Sequence, residues 1–380
     1  MSDESSSQGQ QESDPASESA FLLQEDVETL EEADPEPPRV AYTSSDFDVE
    51  GLVRRLKRGD IAIPTFGHND DPPIETARFQ RGFVWNRPQM DRFIESLLLG
   101  YPIPGIFLVQ QLDRRYLVLD GQQRLRTLAA FYEGMHDKKE FALKNVADKF
   151  AGLSYRTLGD ELRRTLDNTF LQATIVQTDG STESLDAVYQ VFERLNSGGT
   201  QLTPHEIRVA LHAGPFIDLI TNLNNDANWR LLYGRPSPRL RDQEVILRII
   251  ALYVSPGNYK RPLKKFLNEF VGNNRYLTSI EADTISNRFS RAAALIRIEA
   301  GPQSLRRQSA QINTALTEAI FVGLMRRLDV DDQVDATAVA DRINALSTNK
   351  RLEPAIARAT ADEESVRVRL ALSTQAFASI

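Results

Sequence analysis

The sequence predicts an α/β (α+β) N-terminal half followed by a mainly α-helical C-terminal half. Three observations carry that expectation. Short apolar runs at 105–110, 116–119 and 171–176 alternate with stretches of helical period. From Thr203 to residue 380 the pattern is almost wholly helical. Between them the run YLVLDGQQRLRTL, Tyr116–Leu128, drives a strand through a glycine turn into a helix start. The organisation that follows is an acidic tail over 1–45, an α/β domain over 46–180 and a helical domain over 181–380.

Residues 1–40 are rich in Ser, Glu, Gln, Asp and Pro and read as disordered, with a short amphipathic stretch at Phe21–Leu30. Regular structure is expected from Asp46, with a helix over 47–58 whose apolar set is Val49, Leu52, Val53 and Leu56. A strand at 61–63 precedes the polar loop Gly67–Pro73. Pro88 in the first turn and Gly100 at the exit bound a helix at about 88–99. Strands follow at Gly105–Gln110 and Tyr116–Leu119. A turn at Gly121-Gln122-Gln123 leads to a helix over 124–133, opened by Arg124. Residues 138–170 read as mixed and mainly helical, and Leu171–Val176 as a strand. The helix expected over 183–195 carries Val188, Phe192 and Leu195 on one face and breaks at Asn196-Ser197-Gly198-Gly199. Thr203-Pro204-His205-Glu206 then combines an N-cap, a first-turn proline and a capping-box glutamate.

Composition excludes several classes. The chain has no cysteine, hence no disulfide and no thiolate metal site, in keeping with a reducing cytoplasm. Its four histidines, His68, His136, His205 and His212, are scattered, and no protein metal cage is expected. No apolar run is long enough for a bilayer, so no membrane role is expected. The net charge of −8 is uneven: residues 1–45 hold 12 acidic side chains and one arginine, and the remainder is close to neutral at +3. A bulk-basic nucleic-acid binder is therefore not indicated.

Three motifs carry chemistry. In Asp120-Gly121-Gln122-Gln123-Arg124 a carboxylate, a glycine, two amides and an arginine meet a helix N-terminus, where backbone N–H groups and the dipole favour an anion. Arg124 suits bidentate phosphate contact. Equally, it suits a structural pair with Asp120, and both readings stand. The second motif, Arg78–Trp85, alternates arginines with aromatics: Arg81 suits phosphate, while Phe79, Phe83 and Trp85 also suit a core. The third, Phe192–Gly199 followed by Glu206 and Arg208, reads as an anion nest or as a plain glycine break between helices. No Walker A sequence or dinucleotide fingerprint occurs, and nothing reads as a His-Asn-His nuclease.

Taken together, IAIPTF, FQRGFVW, FIESLLLGYPIP, GIFLV, LVLDGQQRLRTL and VFERLNSGGTQLTPHEIR resemble the family known as domain of unknown function 262. That family is also the N-terminal domain of GmrSD-type restriction endonucleases. The resemblance runs from about 47 to about 275. It implies a ParB/sulfiredoxin-like N-terminal fold, with Gly121–Arg124 as its Gly-x-x-Arg turn. It further implies nucleotide binding, and in some members hydrolysis, linked to restriction of phage or modified DNA. The chain departs from the family in an insertion at Gly67–Ala77 and in lacking a nuclease signature in its helical half.

On this resemblance the expected catalytic set is Asp120, positioning a metal-bound or attacking water, with Gln123 and Arg124. The expected phosphate-binding set is Gln80, Arg81, Gly121, Gln122, Arg124, Arg126, Thr127, Asn196, Ser197, Gly198, Gly199 and Arg208. The ligand is a nucleoside triphosphate of open base identity, with Mg²⁺ as counter-ion. DNA and a separate nuclease or methyltransferase subunit are the candidate partners, and oligomeric state is open. The leading function is a nucleotide-hydrolysing component of a DNA-directed defence system. The alternatives are a non-enzymatic nucleotide- or DNA-binding module that recruits a nuclease, and, lowest, a metal-dependent DNA nuclease acting through Asp120.

Overall fold

The computed structural model describes residues 41–63, 85–179, 181–195, 203–237, 239–307 and 311–380. An α+β half and a helical half are both present. The chain enters through a strand, β1 (Tyr42–Asp48), where the sequence suggested irregular chain and then helix. Its first five side chains are exposed, so no apolar alternation betrays it; the ladder to β7 (Phe170–Gln177) holds it. Asp48 then accepts from the Gly51 N–H and starts α1 (Val49–Arg58), which buries Val49, Leu52 and Val53 and ends on the left-handed Gly59.

After β2 (Ile61–Ala62), helix α2 (Arg87–Leu98) begins on a full capping box between Asn86 and Gln89. Its buried Asp91 accepts from Arg87 Nε and Asn145 Nδ2, each at 2.8 Å, and so pins the loop after Phe141 to the helix. Strands β3 (Ile106–Gln110) and β4 (Tyr116–Asp120) form a hairpin, and α3 (Gln122–Glu133) leaves the end of β4. A small hairpin follows, β5 (Met135–His136) with β6 (Lys139–Glu140). Residues 138–170 are less helical than expected: a 3₁₀ turn at Tyr155–Thr157 and α4 (Asp160–Asp167) are the helical parts. The apolar residues there, Phe141, Leu143, Phe150 and Leu158, are separate anchors sunk into the core, not one helical face.

The sheet has the order β1-β7-β3-β4-β2, with β7–β3 and β4–β2 parallel and the other pairs antiparallel. One face is covered by α1, α2 and α3 through Leu52, Ile94, Leu125 and Leu128 packed on Ile106, Leu108 and Val118. The other receives α5 (Thr182–Leu195) and α6 (Pro204–Leu211), whose Val188, Tyr189, Ile207 and Leu211 meet Val109, Leu117, Leu119 and Val176. Thr203 and Glu206 form the expected capping box at the start of α6.

The helical half comprises α7 (Pro215–Asn224), α8 (Ala227–Tyr233), α9 (Arg241–Val254), α10 (Leu263–Asn274), α11 (Ala282–Leu295), α12 (Thr314–Val330), α13 (Ala336–Ser347), α14 (Glu353–Ala357) and α15 (Glu363–Phe377). Helix α12 is apolar around most of its circumference and forms the axis of this core. Gly323 lets it approach α15 closely: a Cβ there would lie 2.9 Å from the Ser373 carbonyl oxygen. Among the described residues no helix is long and apolar enough to cross a membrane.

Candidate functional site

Strand β4 delivers Asp120 to the sheet rim through an irregular register. Phe107 pairs with Asp120 while Leu108 pairs with Val118, so Leu119 is an extra residue in β4. Such a bulge bends the strand and re-aims the residue that follows. Gly121 then adopts φ +94°, and helix α3 starts at Gln122, two residues before the sequence suggested. Gln122 and Gln123 therefore belong to the helix's first turn. That N-terminus has no side-chain cap; its first backbone acceptor bond is from Leu125 N to the Gly121 carbonyl. The N–H groups ahead of it are the ones a helix presents to an anion.

Gly121 is required sterically. A Cβ there would come within 2.5 Å of Ile106 Cγ2, in addition to the left-handed backbone. The close approach is thus to the core strand beneath. Arg124 is likewise committed inward: it donates to Asp120 Oδ2 and to the Pro104 carbonyl, both at 2.6 Å, and its side chain is 12% exposed. Of the two readings of Arg124 left open by the sequence, the geometry displays the pair with Asp120. Asp120 itself is 46% exposed, and its Oδ1 makes no hydrogen bond to a described residue.

Arg126 stands differently. Among the described residues it makes no hydrogen bond or ion pair; its Nε is shut off from solvent without a partner, and burial lowers the guanidinium below its ordinary pKa. It lies one turn after Gln122, and helical side chains lean toward the N-terminus. A desolvated cation beside uncapped N–H groups is a site that an anion would complete. Thr127, by contrast, is fully buried and donates to the Gln123 carbonyl at 2.7 Å.

Gln80, Arg81 and Asn196–Gly199 lie outside the described residues. Their flanks are described. The Trp85 N–H, four positions after Arg81, donates to Gln123 Oε1 at 3.4 Å, which brings that end of the FQRGFVW segment against the first turn of α3. Trp85 itself packs edge-on against Phe93, so it belongs to the core. Arg208 is placed 1% exposed inside a polar cluster, donating to Asn268 Oδ1 at 2.7 Å and to Glu244 at 3.4 Å. Asn268 Nδ2 in turn donates to Asp186 on α5 at 3.1 Å. Asn268 therefore joins α5 and α6, the two helices that flank 196–202. Nothing in the sequence marks it, because its partners are 60 and 82 residues away. Pro104 was equally unmarked: its contribution is a backbone carbonyl.

The family model described as "GmrSD restriction endonuclease, N-terminal domain" matches residues 63–213, a narrower span than the sequence resemblance suggested. A curated protein of Methanocaldococcus jannaschii, described as uncharacterized, is 31% identical over 126 residues, covering 26% of this chain. The chain spans 18% of that relative's length. No solved structure matches the chain.

Proposed function

We propose, from the match of residues 63–213 to the GmrSD restriction endonuclease N-terminal domain, that the protein binds a nucleoside triphosphate at the Asp120–Arg126 turn and hydrolyses it within a DNA-directed defence system. The observation that supports this reading above others is Arg126, a half-buried guanidinium without a partner among the described residues, one turn inside an uncapped helix N-terminus. Phosphate oxygens would satisfy both at once. Gln122 and Gln123 would add amide donors, and Arg124 would act by holding Asp120 in place. Gln80 and Arg81, by their place in the family motif, would add phosphate contacts, and Asn196–Gly199 would add backbone donors.

Asp120 Oδ1 is suited to hold a metal-bound or attacking water. A magnesium ion, when bound, would neutralise charge on the β- and γ-phosphates. One carboxylate oxygen plus phosphate and water ligands fits the habit of that ion. A second reading is a module that binds nucleotide without hydrolysing it and recruits a separate nuclease or methyltransferase. It is favoured by the pairing of Asp120 Oδ2 with Arg124, which commits one of the two carboxylate oxygens to a structural ion pair.

The deciding experiment measures phosphate release and equilibrium binding for ATP, GTP, CTP and UTP with Mg²⁺, with and without DNA, in the wild type and in Arg126→Met. Release lost in the variant supports hydrolysis at this turn. Binding lost without any release supports the module. Neither binding nor release with any nucleotide refutes both readings.

A further inference from the structure

Strand β1 is one edge of the sheet. Its register to β7 runs unbroken from Tyr42↔Val176 to Asp48↔Phe170. The flanking bonds, Gln177 N to the Ala41 carbonyl and Val49 N to the Thr169 carbonyl, fix which residues of β1 turn their backbone toward β7. They are the odd-numbered ones. The N–H and C=O groups of Tyr42, Ser44 and Asp46 therefore point away from the sheet, and no described residue meets them. The side chains of the same three residues share one face of the strand and are exposed, as are Phe170 and Gln172 beside them on β7.

Natural edge strands are usually protected by lysine, proline, a bulge or a covering segment. Over Tyr42–Asp48 there is no lysine, arginine or proline, and the register contains no bulge. What the edge does contain is self-complementary. When a second β1 is laid antiparallel across a twofold axis at Ser44, Ser44 faces its own copy, and Tyr42 faces Asp46 at both ends. Each of these opposed pairs exchanges both of its backbone hydrogen bonds. No like charges face each other. The phenol of Tyr42 meets the carboxylate of Asp46, and the two serine hydroxyls meet at the axis, both favourable cross-strand pairs. Asp48 ends the run, because its side chain already caps α1.

We propose that the β1 edge is an interaction surface for a second copy of this chain, joined Ser44 to Ser44 across a twofold axis so that the two sheets become one. The contact is a short main-chain ladder, well below the area of a standard stable interface, so the dimer is concentration-dependent. The site at Asp120–Arg126 lies on β4, separated from the β1 edge by β7 and β3, and this inference does not depend on what that site binds.

The test uses the full chain. Because the native sequence has no cysteine, Ser44→Cys supplies a single thiol. Directly opposed residues in such a pair have Cα atoms about 5.5 Å apart, inside the range a disulfide spans. Under mild oxidation Ser44→Cys is expected to form a covalent dimer faster than Leu112→Cys, a control thiol at a hairpin position that is 72% exposed. In sedimentation velocity the wild type is expected to gain mass with concentration. Ser44→Pro removes an outward N–H and spares the ladder to β7, a position where an edge strand tolerates proline; it is expected to stay monomeric. Tyr42→Asp sets like charges opposite each other twice and is expected to weaken the dimer roughly tenfold, which decides the matter if Ser44→Pro fails to fold. Crosslinking of Ser44→Cys no faster than the control, or a dimer that Tyr42→Asp leaves unchanged, overturns the proposal.

Discussion

Arg126→Met is expected to separate binding from stability. The guanidinium of Arg126 is half-buried and has no partner among the described residues. A buried polar group left unsatisfied costs about 1–3 kcal/mol, and partial exposure places Arg126 at the low end. Methionine keeps the apolar stem and approximate volume while removing that cost. The variant should therefore be more stable by about 1 kcal/mol, or roughly 2–4 °C in Tm for a domain of this size. If phosphate is what Arg126 holds, the same variant loses a charge-assisted hydrogen bond of about 1.5–3 kcal/mol, a rise in Kd of roughly ten- to 150-fold. Arg124→Ala should show the opposite pattern. It removes the bonds to Asp120 and the Pro104 carbonyl and should lower Tm. Thermal unfolding and nucleotide titration of both variants, side by side, read the contrast. An Arg126→Met protein that melts lower than wild type and binds nucleotide equally well would refute the reasoning.

Three further expectations follow from the same packing. Gly121→Ala combines left-handed strain of about 1–2 kcal/mol with overpacking against Ile106 of about 1–3 kcal/mol, so urea denaturation should show a large loss; an unchanged midpoint would mean the turn relaxes freely. Burial, reinforced by Arg208 and partly opposed for His205 by Glu244, pushes His205 and His212 down to about 4 from 6.5. A histidine with a depressed folded pKa contributes its stability above the unfolded value and loses it as pH falls, so stability should decline between about pH 6.5 and 4 with a slope approaching two protons, and His212→Gln should reduce that slope. Asn268→Ala removes the group that joins Arg208 to Asp186 and takes one hydrogen bond from each; a loss of about 1.5–3 kcal/mol is expected, read by calorimetry, and nucleotide affinity should fall with it if the α5–α6 flanks position the pocket.

How much of this was legible in the sequence depended on where each element draws its stability. Helices α2 and α6 announce themselves because their start signals are local: Pro88 in the first turn of one, and Thr203 with Glu206 in the other. The buried strands β3, β4 and β7 were found because they must be apolar. Strand β1 escaped because its stability lies in backbone bonds to β7, more than a hundred residues away, and its exposed side chains carry no pattern. Residues 138–170 misled for the converse reason. Their apolar side chains are buried one by one, and irregular backbone can do that as well as a helix when a buried group such as Asp91 accepts from its Lys144 and Asn145 N–H groups.

The candidate site divides along the same line. That a carboxylate, a glycine and an arginine meet at a helix start was visible in the order of residues. Which arginine faces inward was not, because that depends on the carbonyl of Pro104 and on the two-residue earlier start of α3. Starting the helix at Gln122 puts Asp120 and Arg124 four residues apart across its first turn, close enough to pair, and leaves Arg126 on a different side of the helix. The two arginines are two positions apart, and a helix separates such neighbours by more than half a turn. One can therefore close the turn while the other makes no hydrogen bond to a described residue, which is the arrangement the proposed anion site requires.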